Sequence, residues 1–149
     1  MKPIRTWILI ADGARARVMQ NNGPGKGVQQ VDGCDYRTSH EADREIHADR
    51  PGRTHDSAGA GRHAMEGSSS PHRIAKAEFA RALMDDLERK HTAGNFDRLL
   101  IVAPPRALGD LRQHMPGTLK SCLIGEVHKD LTHVPNDALT PHLEDDLAV

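Results

Sequence analysis

The apolar positions follow two rhythms along the chain, with a polar interval between them. Thr6 to Ala11 is almost continuously apolar, as a central strand buried on both faces requires. Asp12-Gly13 then supplies a tight turn in which glycine tolerates positive φ. Ala14 to Gln20 alternates strictly, with Ala14, Ala16 and Val18 on one side and Arg15, Arg17 and Met19 on the other. That period of two predicts a half-buried strand, hairpin-paired with the first. The proline and glycines of Asn21 to Gly27 make a second turn. Val28 to Arg37 reads as a third strand, with Gly33 and its polar residues marking an edge or a bulge.

The second rhythm is helical. Ser70 suits an N-cap and Pro71 a first helical position, where its missing N–H costs nothing. Ala75, Phe79, Leu83 and Leu87 form an i, i+4 stripe flanked by Ala80 and Met84, predicting an amphipathic helix to about Thr92. Gly94 closes it in the left-handed position. Arg98 to Ala103 is a buried strand stopped by Pro104-Pro105. Pro105 to Met115 follows as a short helix with Leu108 and Leu111 inward, ended by Pro116-Gly117. Cys122 to His128 is the fifth strand, and Pro135 to Leu147 a last helix that Pro141 breaks or restarts. The order is β-β-β-α-β-α-β-α, which builds an α/β fold around a mixed five-stranded sheet, an arrangement of the RNase H-like kind.

Between the two rhythms lies Thr38 to Ser70, 33 residues whose only sizeable apolar side chains are Ile46 and Met65. A loop longer than ~12–15 residues in a compact domain is as a rule functional or disordered. This one is expected to be the working part of a single domain spanning residues 1–149, with the remainder as scaffold.

Charge and composition narrow the partners. The net charge of −1 gives no global field toward nucleic acid or anionic lipid, so any such contact must be local. With one Trp, one Tyr and two Phe there is no base-stacking platform for single strands. No segment is long enough to span a membrane, and the first apolar run is too short for a signal-peptide core. Cys34 and Cys122, in different elements, fit reduced thiols and a cytoplasmic protein.

Several pieces in order along the chain carry a resemblance: ADGARARV (11–18), DRPGR (49–53), GRHAME (61–66), RLLIVAPP (98–105), LGDLR (108–112) and KDLT (129–132). Together they resemble the bacterial family of proteins required for attachment to host cells. That resemblance implies kinship with the RNase H-like middle domain of archaeo-eukaryotic peptide-chain release factors. In those proteins a Gly-Gly-Gln loop between the third strand and first helix enters the ribosomal catalytic centre. Here the glutamines are Gln20, Gln29, Gln30 and Gln113, and none lies in the loop. The resemblance therefore implies ribosomal contact without the release-factor hydrolysis, and a role in host attachment that is indirect.

The loop supplies most of the candidate chemistry. Arg44, Arg50, Arg53 and Arg62 suit bidentate contacts to phosphate, and Gly52 and Gly61 let backbone approach a ligand. Six carboxylates nearly neutralise them, so the plain alternative is a solvated loop with weak internal ion pairs. The loop histidines, His55 and His63 among them, match neither an HExxH pair nor a Cys/His finger, so no metal site or cofactor is predicted. His63 beside Arg62 belongs with the RNA-binding candidates. A nuclease of RNase H type would need clustered carboxylates, for which Asp12, Glu78 and Asp130 are the candidates. Asp12 also has a plain role in its turn, and Glu78 on a solvent face. Pro104-Pro105 lies at a strand's carboxyl end, where open α/β sheets commonly form ligand crevices, but a rigid helix start is the favoured reading of the two prolines. Three function classes follow: a non-catalytic module bound to RNA or the ribosome, a metal-assisted hydrolase using Asp12 with His55 and His63, and a factor that binds a protein partner. The first is expected, with no membrane partner.

Overall fold

The computed structural model describes residues 2–38 and 70–149. Among these residues one sheet contains β1 (Thr6–Ala11), β2 (Arg15–Asn21), β3 (Gln29–Arg37), β4 (Arg98–Val102) and β5 (Leu123–Val127). The strands lie in the order β3-β2-β1-β4-β5. β1 pairs with β2, and β2 with β3, antiparallel, whereas β1 with β4 and β4 with β5 are parallel. The fold is thus α/β with a mixed five-stranded sheet, and β1 is its centre, buried at every residue.

Alternation along β1 divides the core in two. Trp7, Leu9 and Ala11 point to one face and Ile8 and Ile10 to the other. On the first face lie α1 (Pro71–Thr92), α2 (Pro105–Gln113) and α3 (Gly117–Cys122), which contribute Leu83, Leu87, Leu108, Leu111 and Leu119. Trp7 stacks on Phe96 there with ring centroids 4.4 Å apart, and its indole N–H donates to Gln20 Oε1 at 2.8 Å. The second face is covered by the C-terminal segment, where Leu131, Leu139 and Leu143 meet Ile8, Ile10, Met19 and Val102.

The helix signals act as the residue types require. The Ser70 hydroxyl accepts from Arg73 N–H at 3.1 Å, Pro71 opens α1, and Ala80, Leu83, Met84 and Leu87 are its buried residues. Gly94, at φ +84°, carries the chain out of the helix. In β3 the register slips between the Arg17↔Asp35 and Met19↔Gln30 pairs, and Gly33 at φ +80° lies in the resulting bulge.

Three expectations are corrected. Gly13 does not adopt a positive φ, because the turn is closed by the Asp12 side chain instead. Gly117–Cys122 forms a helix where only a proline-glycine stop was expected, so β5 begins at Leu123 and not at Cys122. The last helix shrinks to a 3-10 turn at Asn136–Ala138 and α4 (Thr140–Leu143), with Pro141 in the first turn of the restart.

Candidate functional site

Because β1 and β4 are adjacent and parallel, both deliver their carboxyl ends to the same end of the sheet. β1 runs there into the Asp12 turn, and β4 into Pro104 and the start of α2. The beginning of α1 arrives beside them. Between these segments opens a crevice of about 310 Å³, lined by Asp12, Gly13, Lys76, Pro104, Arg106 and Asp110, with Ala14 and Ala107 completing the wall.

Asp12 is held from three sides. Its Oδ1 accepts the backbone N–H groups of Ala14 at 2.8 Å and Arg15 at 2.9 Å, closing the hairpin as an Asx-turn. Its Oδ2 lies 3.6 Å from Arg15 Nε and 3.3 Å from Thr132 Oγ1. The same hydroxyl donates to Asp130 Oδ1, which also accepts Thr132 N–H at 3.0 Å. Burial works against the Asp130 charge, but these bonds from Thr132 outweigh it and hold the carboxyl below its usual range. Asp130 is therefore a fixed anion at neutral pH and a poor proton donor.

On the α1 side, Arg73 and Asp110 form an ion pair, and the hydrogen bond to Asp110 raises the guanidinium pKa against the opposing pull of burial. Lys76 lies across Gly13 so closely that a Cβ there would stand 3.0 Å from Lys76 Cδ. A side chain at Gly13 would thus push aside the flexible Lys76 stem, while the backbone there needs no left-handed residue. Lys76 and Arg106 have no hydrogen-bonding or ionic partner among the described residues. A larger hollow of about 790 Å³, lined in part by Lys2, Arg5, Asn22 and Lys26, lies at the opposite end of β1. There Arg5 is already engaged with Asp97 through its backbone N–H at 2.8 Å and its guanidinium.

The other face of the same sheet end is also basic. Arg15, Arg17 and Arg37 gather with Asp35 around a hollow of about 80 Å³. Arg17 is structural: its guanidinium donates to the carbonyls of Thr132, at 3.1 Å, and Val134. Burial lowers its pKa, and Asp35 partly restores it. Arg15 contacts His133, and Thr38 N–H donates to Ala14 O at 2.8 Å. Thr38 thus sits at the crevice end of the sheet, and so does Ser70, whose hydroxyl caps Arg73 N–H while the Arg73 guanidinium pairs with Asp110 in the crevice wall.

Of the sequence candidates, Arg44, Arg50, Gly52, Arg53, His55, Gly61, Arg62 and His63 lie outside the described residues. Asp12 and Asp130 are brought together through Thr132. Glu78 is not: it is 60% exposed and pairs with Arg81 on the outer face of α1. Among the described residues no group of three His, Cys, Asp or Glu side chains is placed to hold a metal ion. No helix among them is long and apolar enough to cross a membrane. Lys76, Arg106 and the Arg73–Asp110 pair escaped sequence reasoning, because they converge only through helix packing. Of the crevice lining, the sequence singled out Asp12, and Pro104 as a strand end read first as a helix start.

Residues 7–143 match the family model described as "Protein required for attachment to host cells". No curated protein matches the chain.

Proposed function

From the premise that the chain belongs to the family of proteins required for attachment to host cells, we propose that it is a cytosolic, non-catalytic module that binds RNA on the ribosome through residues 38–70. One observation carries this reading. Thr38 and Ser70 stand at the end of the sheet where Arg15, Arg37, Lys76 and Arg106 collect, so the segment between them starts and ends on basic ground. To that ground the segment adds Arg44, Arg50, Arg53 and Arg62, with His63 beside the last, and Gly52 and Gly61 for close backbone approach. The strand and helix order, read as RNase H-like, supports kinship with the release-factor middle domain. A release factor carries its ribosome-probing loop at the same point of the chain. Without Gly-Gly-Gln the contact is one of binding, and its effect on attachment is exerted through translation.

Binding of this kind weakens steeply with salt, because each arginine–phosphate contact releases counterions. Arg50→Ala combined with Arg53→Ala is expected to abolish ribosome co-sedimentation while leaving the thermal melt unchanged. An unaltered sedimentation profile overturns the proposal. Protection of residues 38–70 from proteolysis by a protein fraction, and not by RNA, would transfer the role to a protein partner.

The meeting of Asp12 and Asp130 at Thr132 favours a second reading, a metal-assisted hydrolase with His55 and His63 as further candidates. It predicts that Asp12→Asn abolishes a hydrolytic activity that depends on added divalent metal; equal rates in the two proteins would dismiss it.

A further inference from the structure

We propose that the crevice between the β1–β2 turn, α1 and α2 binds a phosphomonoester of about nucleotide size. The inference goes beyond ribosome binding and uses none of the residues 39–69.

The charges of the wall settle the ligand class. Its two carboxylates are already matched, Asp12 by Arg15 and Asp110 by Arg73. Lys76 and Arg106 remain, unpaired among the described residues and entering from two different helices. Two cations facing one hollow, unpaired among the described residues, suit a dianion better than a carboxylate or a mid-chain phosphodiester, each of which brings a single charge. A phosphomonoester carries about −1.5 to −2 at neutral pH and presents three acceptor oxygens. The guanidinium of Arg106 offers a planar fork for two of them, and the Lys76 ammonium a point charge for the third. Gly13 leaves the lysine room, since a Cβ there would stand 3.0 Å from Lys76 Cδ where the stem crosses the end of β1.

Size separates an ester from the free ion. The crevice, about 310 Å³, is at the small end of ligand pockets and exceeds what inorganic phosphate alone fills. Two sources offer this chemistry: a free nucleoside monophosphate, and the phosphorylated terminus of an RNA. Position supports either, for the hollow lies beyond the carboxyl ends of two parallel strands, where open α/β sheets bind their ligands.

The test is calorimetric titration of the full chain with adenosine monophosphate and with adenosine. A second pair of titrants is a short oligoribonucleotide with and without a terminal phosphate. Saturable binding of at least one phosphorylated member, about tenfold or more above its unphosphorylated counterpart, is expected. Lys76→Ala with Arg106→Ala should remove that margin, whereas Lys2→Ala with Lys26→Ala, in the larger hollow at the far end of the sheet, should leave it intact. Both replaced pairs are exposed, so the melts should coincide with wild type. Preference for the mononucleotide identifies a free ligand, and preference for the phosphorylated RNA identifies a strand terminus. If neither phosphorylated titrant exceeds its counterpart, or if the margin survives loss of Lys76 and Arg106, the site is refuted. Neither outcome depends on the arginines of 38–70, so a failed ribosome assay and a failed titration are separate results.

Discussion

Replacing Tyr36 by phenylalanine removes one hydroxyl from the seam between β3 and α1. The phenol donates to Asp86 Oδ2 at 2.5 Å, and Asp86 also accepts from Lys90 at 2.6 Å and Arg89 at 2.7 Å. Burial raises the phenol pKa, and hydrogen bonds with Asp86 and Cys34 raise it further, far above its ordinary 10.0. Asp86 moves the other way. Burial opposes its charge, but hydrogen bonds from Lys90, Tyr36 and Arg89 outweigh burial and hold the carboxyl below its ordinary 3.8. A hydrogen bond to a charged partner contributes ~1.5–3 kcal/mol. The ring stays packed and the carboxylate keeps two cationic donors, so the loss belongs at the lower end, about 1.5 kcal/mol. At roughly 4 °C per kcal/mol for a chain of this size, the melting temperature falls by about 6 °C. The depressed Asp86 stabilises the fold above its unfolded pKa, and that contribution is lost as pH falls through the lower folded value. The gap between wild type and Tyr36→Phe is therefore constant from neutrality to about pH 4 and closes below it. The raised phenol works in the opposite direction: its contribution is complete below about pH 10 and fades as the unfolded tyrosine ionises above. Tyr36 is the single tyrosine, so phenolate absorbance reports it alone. Urea melts that coincide within ~0.3 kcal/mol, or a folded protein whose phenol ionises at its ordinary pKa, would refute the account.

Asn21, 2% exposed, ties the second turn together: Oδ1 accepts Gly23 N–H at 3.0 Å, and Nδ2 donates to Gly23 O at 3.0 Å and Gly27 O at 2.7 Å. Asn21→Ala is expected to cost ~2–3 kcal/mol in a chemical melt, and a loss under about 0.5 kcal/mol would show that water replaces the amide at no cost. Asp12→Asn keeps the Oδ1 acceptor of the Asx-turn and should change stability by less than ~1 kcal/mol. Asp12→Ala removes that acceptor and should cost ~1–2 kcal/mol more; equal losses in the two variants would mean that the turn bonds are not what Asp12 supplies.

The elements legible in the sequence are those whose cause is local. A serine followed by proline starts α1, a glycine with positive φ ends it, and the Arg15–Met19 alternation separates two core faces. Gly33 was legible as an edge or bulge for the same reason. What escaped depends on partners distant in the chain. Gly117–Cys122 opens with glycine and buries Leu119 alone, so no apolar period betrays a helix. The C-terminal segment packs Leu131, Leu139 and Leu143 on the sheet, and Pro135 and Pro141 stand among them, so a single long helix could not satisfy both. At the site, Asp12 and Pro104 were legible because turn chemistry and strand ends are sequence properties. Lys76 and Arg106, 30 positions apart, look like ordinary solvated cations until α1 and α2 pack side by side.

The single tryptophan gives the molecule a built-in observer, and its position decides what it can see. Trp7 is 3% exposed, stacked on Phe96 near the start of β1, whereas the crevice opens past the end of that strand. Five residues of extended chain separate Trp7 from Asp12, about 17 Å. Indole emission will therefore follow the integrity of the sheet and stay silent when the crevice fills. A fluorescence change on adding a phosphorylated ligand would mean that strand β1 itself had shifted, carrying the event from one end of the sheet to the other.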